Sequence, residues 1–347
     1  MFFPHLLGQR KVQNELQHLY TKKRIPHTMI FYGDEGLGKT TAAFDLAGIL
    51  TGKADKLYDD IKKANLDQLF EDVSILSKEE KERLLAVTLA DEQVWYLHPV
   101  GMELKIDQFR VFLDAMITFD NQPHVCIIDE AQTMMPAIAN SLLTTLEEPA
   151  GNIFFILITH DLNALLPTII SRGERFGFLP LPREDYVSFI NRNMEKYPRL
   201  KEMDADLLFQ MTEGNPGNTL EICDEKDGEL IDKAIEFWET VSHSTLLFAE
   251  LNMESFKDRK EFLKILRWII LVGRDIMVLS ETGNISLARC VSISHREMEI
   301  ASYWKNGKGE DALNILITAK NAVSRYINIK NVWDMILINL EHIQKGI

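Results

Sequence analysis

Cysteine is scarce: Cys126, Cys223 and Cys290 are the only three in 347 residues, and no two of them form a C-x-x-C pair. Neither a zinc site nor a dithiol redox couple can be read from that spacing. Cys126 lies inside the apolar run "HVCIID" (124–129) and is expected to be a small buried hydrophobe. Positive charge is also short, with 38 Lys and Arg against 52 Asp and Glu and a net charge of −14. Binding along a nucleic-acid backbone is dominated by Lys and Arg. A surface that wraps DNA unaided is therefore not expected, and partners are expected to be proteins, or nucleic acid reached through them. Long apolar runs are missing too. "WIILVG" (268–273) is far shorter than the roughly 20 residues a membrane helix needs. The N-terminus "MFFPHLLGQRK" lacks a basic leader followed by an apolar segment and a cleavage site. No membrane partner is expected, and the address is read as cytoplasmic.

What is present is an ordinary globular composition, 46% hydrophobic and 26% charged. At roughly 100–200 residues per domain the length predicts two or three domains. Residues 10–24 carry Val12, Leu16 and Leu19 at helical spacing. "HTMIFYG" (27–33) reads as a buried strand closed by glycine. "TTAAFDLAGIL" (40–50) reads as a helix. Between them, Gly33, Gly36, Gly38, Lys39 and Thr40 spell G-x-x-x-x-G-K-T. Strand, glycine loop and helix together define a phosphate-binding loop: its backbone N–H groups cradle the phosphates, with the helix N-terminus behind them. In such a loop Lys39 places a charge at the β/γ oxygens, and Thr40, followed by Thr41, ligates Mg²⁺ through its hydroxyl. The ligand expected is ATP or ADP with Mg.

Residues 52–98 are densely charged and read as an insertion with a solvated face. "HVCIIDE" (124–130) reads as a second buried strand ending in two acids. Asp129 is placed to hold Mg²⁺ and Glu130 to polarise an attacking water as general base. A helix over 136–149 follows, then a third buried strand, "NIFFILITH" (152–160), with Thr159 at its end as a possible contact to phosphate or water. Strands separated by helices imply an α/β fold with a parallel sheet covered on both faces. From about residue 179 the pattern turns helical, with Pro180 and Pro182 marking the break, and residues 229–347 read as almost wholly helical. In "TIISRGERF" (168–176), Arg172 reads on its own either as a surface salt-bridge residue or as a functional cation.

The segment "CIIDEAQTMMPAIANSLLTTLEEPAGNIFFILITHDLNALLPTIISR" (126–172) resembles bacterial clamp-loader AAA+ subunits. So does "GQRKVQNELQHLYTKKRIPHTMIFYGDEGLGKTTAAFDLA" (8–47), and with "GNPGN" (214–218) the resemblance covers about 200 residues in order. It implies an AAA+ nucleotide-binding domain over 1–178, a helical lid over 179–228 and a helical collar over 229–347. It also implies a ring with motor (gamma/tau) and delta subunits, a sliding clamp engaged indirectly, and primed DNA reached through the assembled complex. In that family Ser171-Arg172 corresponds to the S-R-C motif, whose arginine acts in trans on nucleotide held by the neighbouring subunit. Such fingers are worth about 10³–10⁵ in rate in phosphoryl transfer.

Two departures matter. The cysteine of S-R-C is Gly173 here. The arginine of the lid's G-x-P-G-R pattern is Asn218, which is uncharged and short and cannot replace a cation at a γ-phosphate. Hydrolysis at the chain's own loop is therefore in doubt. Three readings remain open: a finger-donating subunit, a hydrolysing motor, and a non-replicative AAA+ switch or scaffold.

Overall fold

A computed structural model of the chain describes residues 2–64, 86–99, 103–116, 119, 121–147, 152–201, 205–223, 227–243, 259–284, 287, 295–324 and 328–346. It divides into two compact units. One comprises residues 1–189 together with 215–218, and the other residues 190–214 and 219–347. The expected cut near 228/229 falls inside the second unit. Part of the expected insertion, residues 65–85, lies outside the described residues.

The first unit is built on a six-stranded sheet of order β2-β3-β4-β5-β1-β6. The strands are β1 (Thr28–Tyr32), β2 (Val87–Leu89), β3 (Val94–Leu97), β4 (His124–Ile128), β5 (Ile153–Thr159) and β6 (Glu174–Gly177). All pairings are parallel except β2 with β3 at one edge. The central strands read as unbroken apolar runs because both faces are covered. Successive residues still go to opposite faces. Val125 and Ile127 of β4, Ile156 and Ile158 of β5, and Met29 and Phe31 of β1 pack in one core. That core is closed by α1 (Arg10–Thr21), α2 (Lys39–Thr51) and α3 (Ala54–Ala64). Cys126 and Ile128, Phe155 and Leu157, and Ile30 pack in the other. There they meet α4 (Ile106–Met116), α5 (Pro136–Glu147) and α6 (Pro167–Ile170).

One expectation is corrected. Residues 94–97 lie within the stretch read as a charged insertion, yet β3 is a buried core strand paired with β4 along its whole length. Its four residues are all buried, and only the sequence around them is charged.

The first unit also contains α7 (Arg183–Asn193) through its residue 189 and the segment 215–218. The second unit is helical where described. It has α8 (Ala205–Thr212), most of α9 (Pro216–Ile222), α10 (Asp227–His243), α11 (Arg259–Thr282), α12 (His295–Tyr303), α13 (Lys308–Ser324) and α14 (Ile329–Lys345). Four indoles, Trp238, Trp268, Trp304 and Trp333, are buried in it. Trp238 packs edge-on against Trp304 with centroids 5.0 Å apart. The Trp238 Nε1–H donates to the Ile269 carbonyl at 2.7 Å, and Trp304 Nε1–H to Ser242 Oγ at 2.8 Å. Phe262 stands edge-on to Trp333. Trp238 and Trp304 are thus large rings buried with their polar edges paired, a strong local source of stability. No helix among the described residues is long and apolar enough to cross a membrane.

Candidate nucleotide-binding site

Ligands in parallel α/β sheets bind beyond the carboxyl ends of the strands. Three such ends carry the predicted residues: β1 runs into the glycine loop, β4 into Asp129-Glu130, and β5 into Thr159-His160. Gly33, Gly36 and Gly38 have φ of 139°, 77° and 88°, a backbone region that side chains rarely adopt. Gly38 caps α2, so the loop delivers its amides to that helix's N-terminus.

Lys39 is buried, and its Nζ donates to the Gly33 and Asp34 carbonyls, both at 2.6 Å. Burial lowers its pKa, against the raising effect of the Asp129, Glu130, Glu35 and Asp34 carboxylates. Thr40 Oγ1 donates to Asp129 Oδ2 at 3.1 Å, and Thr41 follows it, half-buried, in the first turn of α2. Tyr96 Oη donates to the same Asp129 oxygen at 2.7 Å, and the Glu130 backbone N–H donates to Asp129 Oδ1 at 2.9 Å. Burial, then the Glu130 charge, raise the Asp129 pKa. The Thr40–Asp129 pair is an all-oxygen donor set of the kind Mg²⁺ prefers, so the residues present fit that ion. Tyr96 was not anticipated from sequence, because it lies in the stretch read as an insertion.

Glu130 sits at the turn after β4 with φ 50°. Its Oε2 accepts a short hydrogen bond from Gln132 Nε2 and lies 3.5 Å from His160 Nδ1. Gln132 Nε2 also lies 3.0 Å from His160 Nδ1. Burial pushes the Glu130 carboxyl up, but hydrogen bonding and charge from His160, with His98 and Gln132, outweigh it and hold the pKa below the ordinary value. His160 is raised in turn, first by its hydrogen bond to Glu130, against the effect of burial.

Thr159 is buried, and its hydroxyl is engaged locally. It donates to the Asp161 carbonyl at 2.9 Å and accepts from the Asp161 N–H at 3.1 Å. The side chain that meets Glu130 is the next one, His160. The only signal for it in sequence was a titratable residue one step past the strand end.

Arg172 is not part of this cluster. It is exposed, and its Nη1 donates to the Thr168 carbonyl at 2.9 Å. It precedes β6, whose Glu174 pairs with Met29 and whose Gly177 pairs with Tyr32, whereas the glycine loop begins after Tyr32. At about 3.3 Å per residue, Arg172 therefore lies roughly 15 Å or more from that loop along the strand direction, at the opposite end of the sheet. Gly173 lies against Ile30: a Cβ there would be 2.7 Å from Ile30 Cδ1 and Cγ1. Asn218 lies in α9, where its N–H donates to Asn215 Oδ1 at 3.1 Å.

A glycine phosphate loop after β1, an acid pair at the end of β4 and a mostly parallel sheet place the first unit among P-loop nucleotide-binding proteins. The chain belongs to the family described as "DNA polymerase III, delta subunit", whose model matches residues 8–182, and so is a member of the AAA+ clamp-loader family. It is 22% identical over 218 residues to replication factor C subunit 3 of Schizosaccharomyces pombe, covering 62% of this chain and 54% of that one. It is 28% identical over 209 residues to the DNA polymerase III gamma subunit of Buchnera aphidicola, covering 59% and 52%. The chain thus spans about half the length of these relatives. Among solved structures it is similar to a gamma-subunit-related protein of Thermotoga maritima, at 15% identity and TM-score 0.42 over 95% of this chain and 98% of that one.

Proposed function

We propose that this chain is a delta-prime-type subunit of a DNA polymerase III clamp loader. It binds ATP or ADP with Mg at its own loop, joins motor (gamma/tau) and delta subunits in a ring, and gives Arg172 to nucleotide held by a neighbour. The ring in turn loads a sliding clamp onto primed DNA. Residues 229–347 serve as the collar through which the subunits associate.

The observation that carries this reading is the separation of Arg172 from the chain's own loop. A guanidinium exposed at the far end of the sheet is too distant to serve the γ-phosphate at its own loop, which supports a role at another subunit's site. At the chain's own site, the loop amides and Lys39 bind phosphates, Thr40 and Asp129 hold Mg²⁺, and Glu130 is positioned to take a proton from water. Mg²⁺ when bound neutralises charge on the phosphate oxygens. Asn218 supplies no cation there, so turnover at this site is slow or absent.

The completeness of Lys39, Thr40, Asp129 and Glu130 favours a second reading, a hydrolysing gamma/tau-like motor. Reconstitution with the partner subunits separates the two. DNA-stimulated ATP turnover is measured for wild type, Arg172→Ala and Lys39→Ala. Loss of turnover with Arg172→Ala and near-normal turnover with Lys39→Ala is expected. The reverse pattern assigns the motor role. Failure to co-purify with any partner subunit rejects both in favour of a non-replicative scaffold.

A further inference from the structure

The phosphate loop has its carbonyl groups taken one after another. Gly33 O and Asp34 O accept from Lys39 Nζ. Glu35 O accepts from Asn215 Nδ2 at 2.7 Å, and Gly36 O from the Gly217 N–H at 2.9 Å. Leu37 O accepts from Gln9 Nε2 at 3.2 Å, and Gly38 O from the Ala42 N–H at 3.0 Å. In a trans peptide the C=O and N–H point in opposite directions. Fixing each carbonyl from outside therefore fixes the direction of the following amide.

These donors are of two kinds. Lys39 must leave its carbonyls when a phosphate arrives, because its charge is wanted there. Asn215 and Gly217 have no such duty and can hold the loop throughout. Their contact is close enough to require glycine on both sides. A Cβ on Gly217 would lie 2.4 Å from Gly36 Cα, and a Cβ on Gly36 would lie 2.6 Å from Asn215 Oδ1 and 2.9 Å from Gly217 Cα. Asn215 is itself buried, and its Oδ1 accepts from Asn218 N–H, so one side chain ties the loop to the first turn of the following helix.

We propose that Asn215 and Gly217 are positioning residues of the nucleotide site: their clasp on Glu35 and Gly36 holds the phosphate loop in its binding form. The "GNPG" segment thus does work at the loop through its backbone and Asn215, although it lacks the arginine. A preformed cradle costs less ordering on binding, so the clasp acts on affinity for any nucleotide whose phosphates lie in the loop. The proposal rests on the reading of residues 33–40 as a nucleotide site.

The test uses the full chain, with MgADP and MgATP titrated by calorimetry and backbone hydrogen exchange followed without nucleotide. Asn215→Ala and Gly217→Ala are expected to weaken both nucleotides about tenfold, the loss of one to two buried hydrogen bonds. Exchange is expected to quicken over 33–38 while β4 and β5 stay protected. Asn215→Asp keeps the acceptor for Asn218 but loses the donor to Glu35, and should fall between. Wild-type affinity in Asn215→Ala and Gly217→Ala overturns the proposal and leaves the nucleotide reading intact. Exchange rising throughout the sheet overturns it in favour of simple structural support. If the wild-type chain binds neither nucleotide, the reading and the proposal fall together.

Discussion

Thr40 Oγ1 donates to Asp129 Oδ2 across 89 residues of chain, and Tyr96 Oη donates to the same oxygen. Two hydroxyls thus stand on a buried carboxylate whose pKa burial has raised. A carboxyl with a raised folded pKa opposes folding at neutral pH, because losing its proton costs more in the native state than in the unfolded one. Asp129→Asn should therefore stabilise the nucleotide-free chain while removing an Mg²⁺ ligand. The melting temperature is expected to rise by about 2–4 °C, the size of a 1 kcal/mol change in a unit of this length. Mg²⁺ should no longer tighten ADP binding. Calorimetry with and without Mg²⁺ measures the second effect, and an unchanged Mg²⁺ dependence would exclude Asp129 as a ligand.

His160 and Glu130 form a pair whose titration has a definite sign. The folded pKa of His160 is raised, so its share of the stability is fully present below the unfolded value of about 6.5 and is lost as pH rises through the folded value. The folded pKa of Glu130 is lowered, so its share is present above the unfolded value of about 4.3 and is lost as pH falls through the folded value. The difference in melting temperature between wild type and His160→Ala should thus be largest between about pH 4.5 and 6.5. It should shrink above the folded pKa of His160. A difference that is flat with pH would mean the ring acts by packing alone.

Much of this arrangement could be read from sequence, and the remainder has physical reasons for staying hidden. The glycine loop, the acid pair and the strands β1, β4 and β5 announce themselves because local apolar runs and turn residues encode them. β3 did not, because "VWYL" is short and stands among charged neighbours, so its burial depends on pairing with β4. Tyr96 was lost with it. His160 follows a strand end where Thr159 reads as the better polar contact, and only the turn geometry sends the ring to Glu130 and the Thr159 hydroxyl to the local backbone. Asn215 stands in sequence only as part of a pattern that lacks its arginine. Its partner, the Glu35 carbonyl, lies 180 residues earlier, a distance no local pattern spans.

The helical unit makes a separate prediction. Gly273 of α11 packs against the Trp238 ring so closely that a Cβ would lie 2.2 Å from Cζ2 and 2.7 Å from Cε2. The ring cannot retreat freely, because its Nε1–H is bonded to the Ile269 carbonyl and it stands edge-to-face with Trp304. In an exposed helix Gly→Ala is favourable by roughly 1 kcal/mol. Here overpacking should reverse the sign and cost about 1–3 kcal/mol. Urea unfolding followed by indole fluorescence reads the change, and nucleotide affinity should be unaffected. A stabilised Gly273→Ala would show that the ring has room to move.

Arg172 invites a test sharper than truncation. Its Nη1 holds the Thr168 carbonyl, and its backbone N–H bonds Ile169 O at 3.1 Å, so the side chain leaves from a fixed point on the surface. A finger must present a planar, forked cation to phosphate oxygens, whereas a surface salt-bridge residue needs only a positive charge. Arg172→Lys keeps the charge and gives up the fork. If Arg172 serves a neighbour's nucleotide, the lysine variant should assemble normally yet lose at least tenfold in the turnover of the reconstituted complex. Nucleotide affinity of the isolated chain should stay at the wild-type value, because Arg172 lies at the opposite end of the sheet from the loop. Full turnover with lysine would reduce Arg172 to a charge on the surface and remove the main support for the finger-donating role.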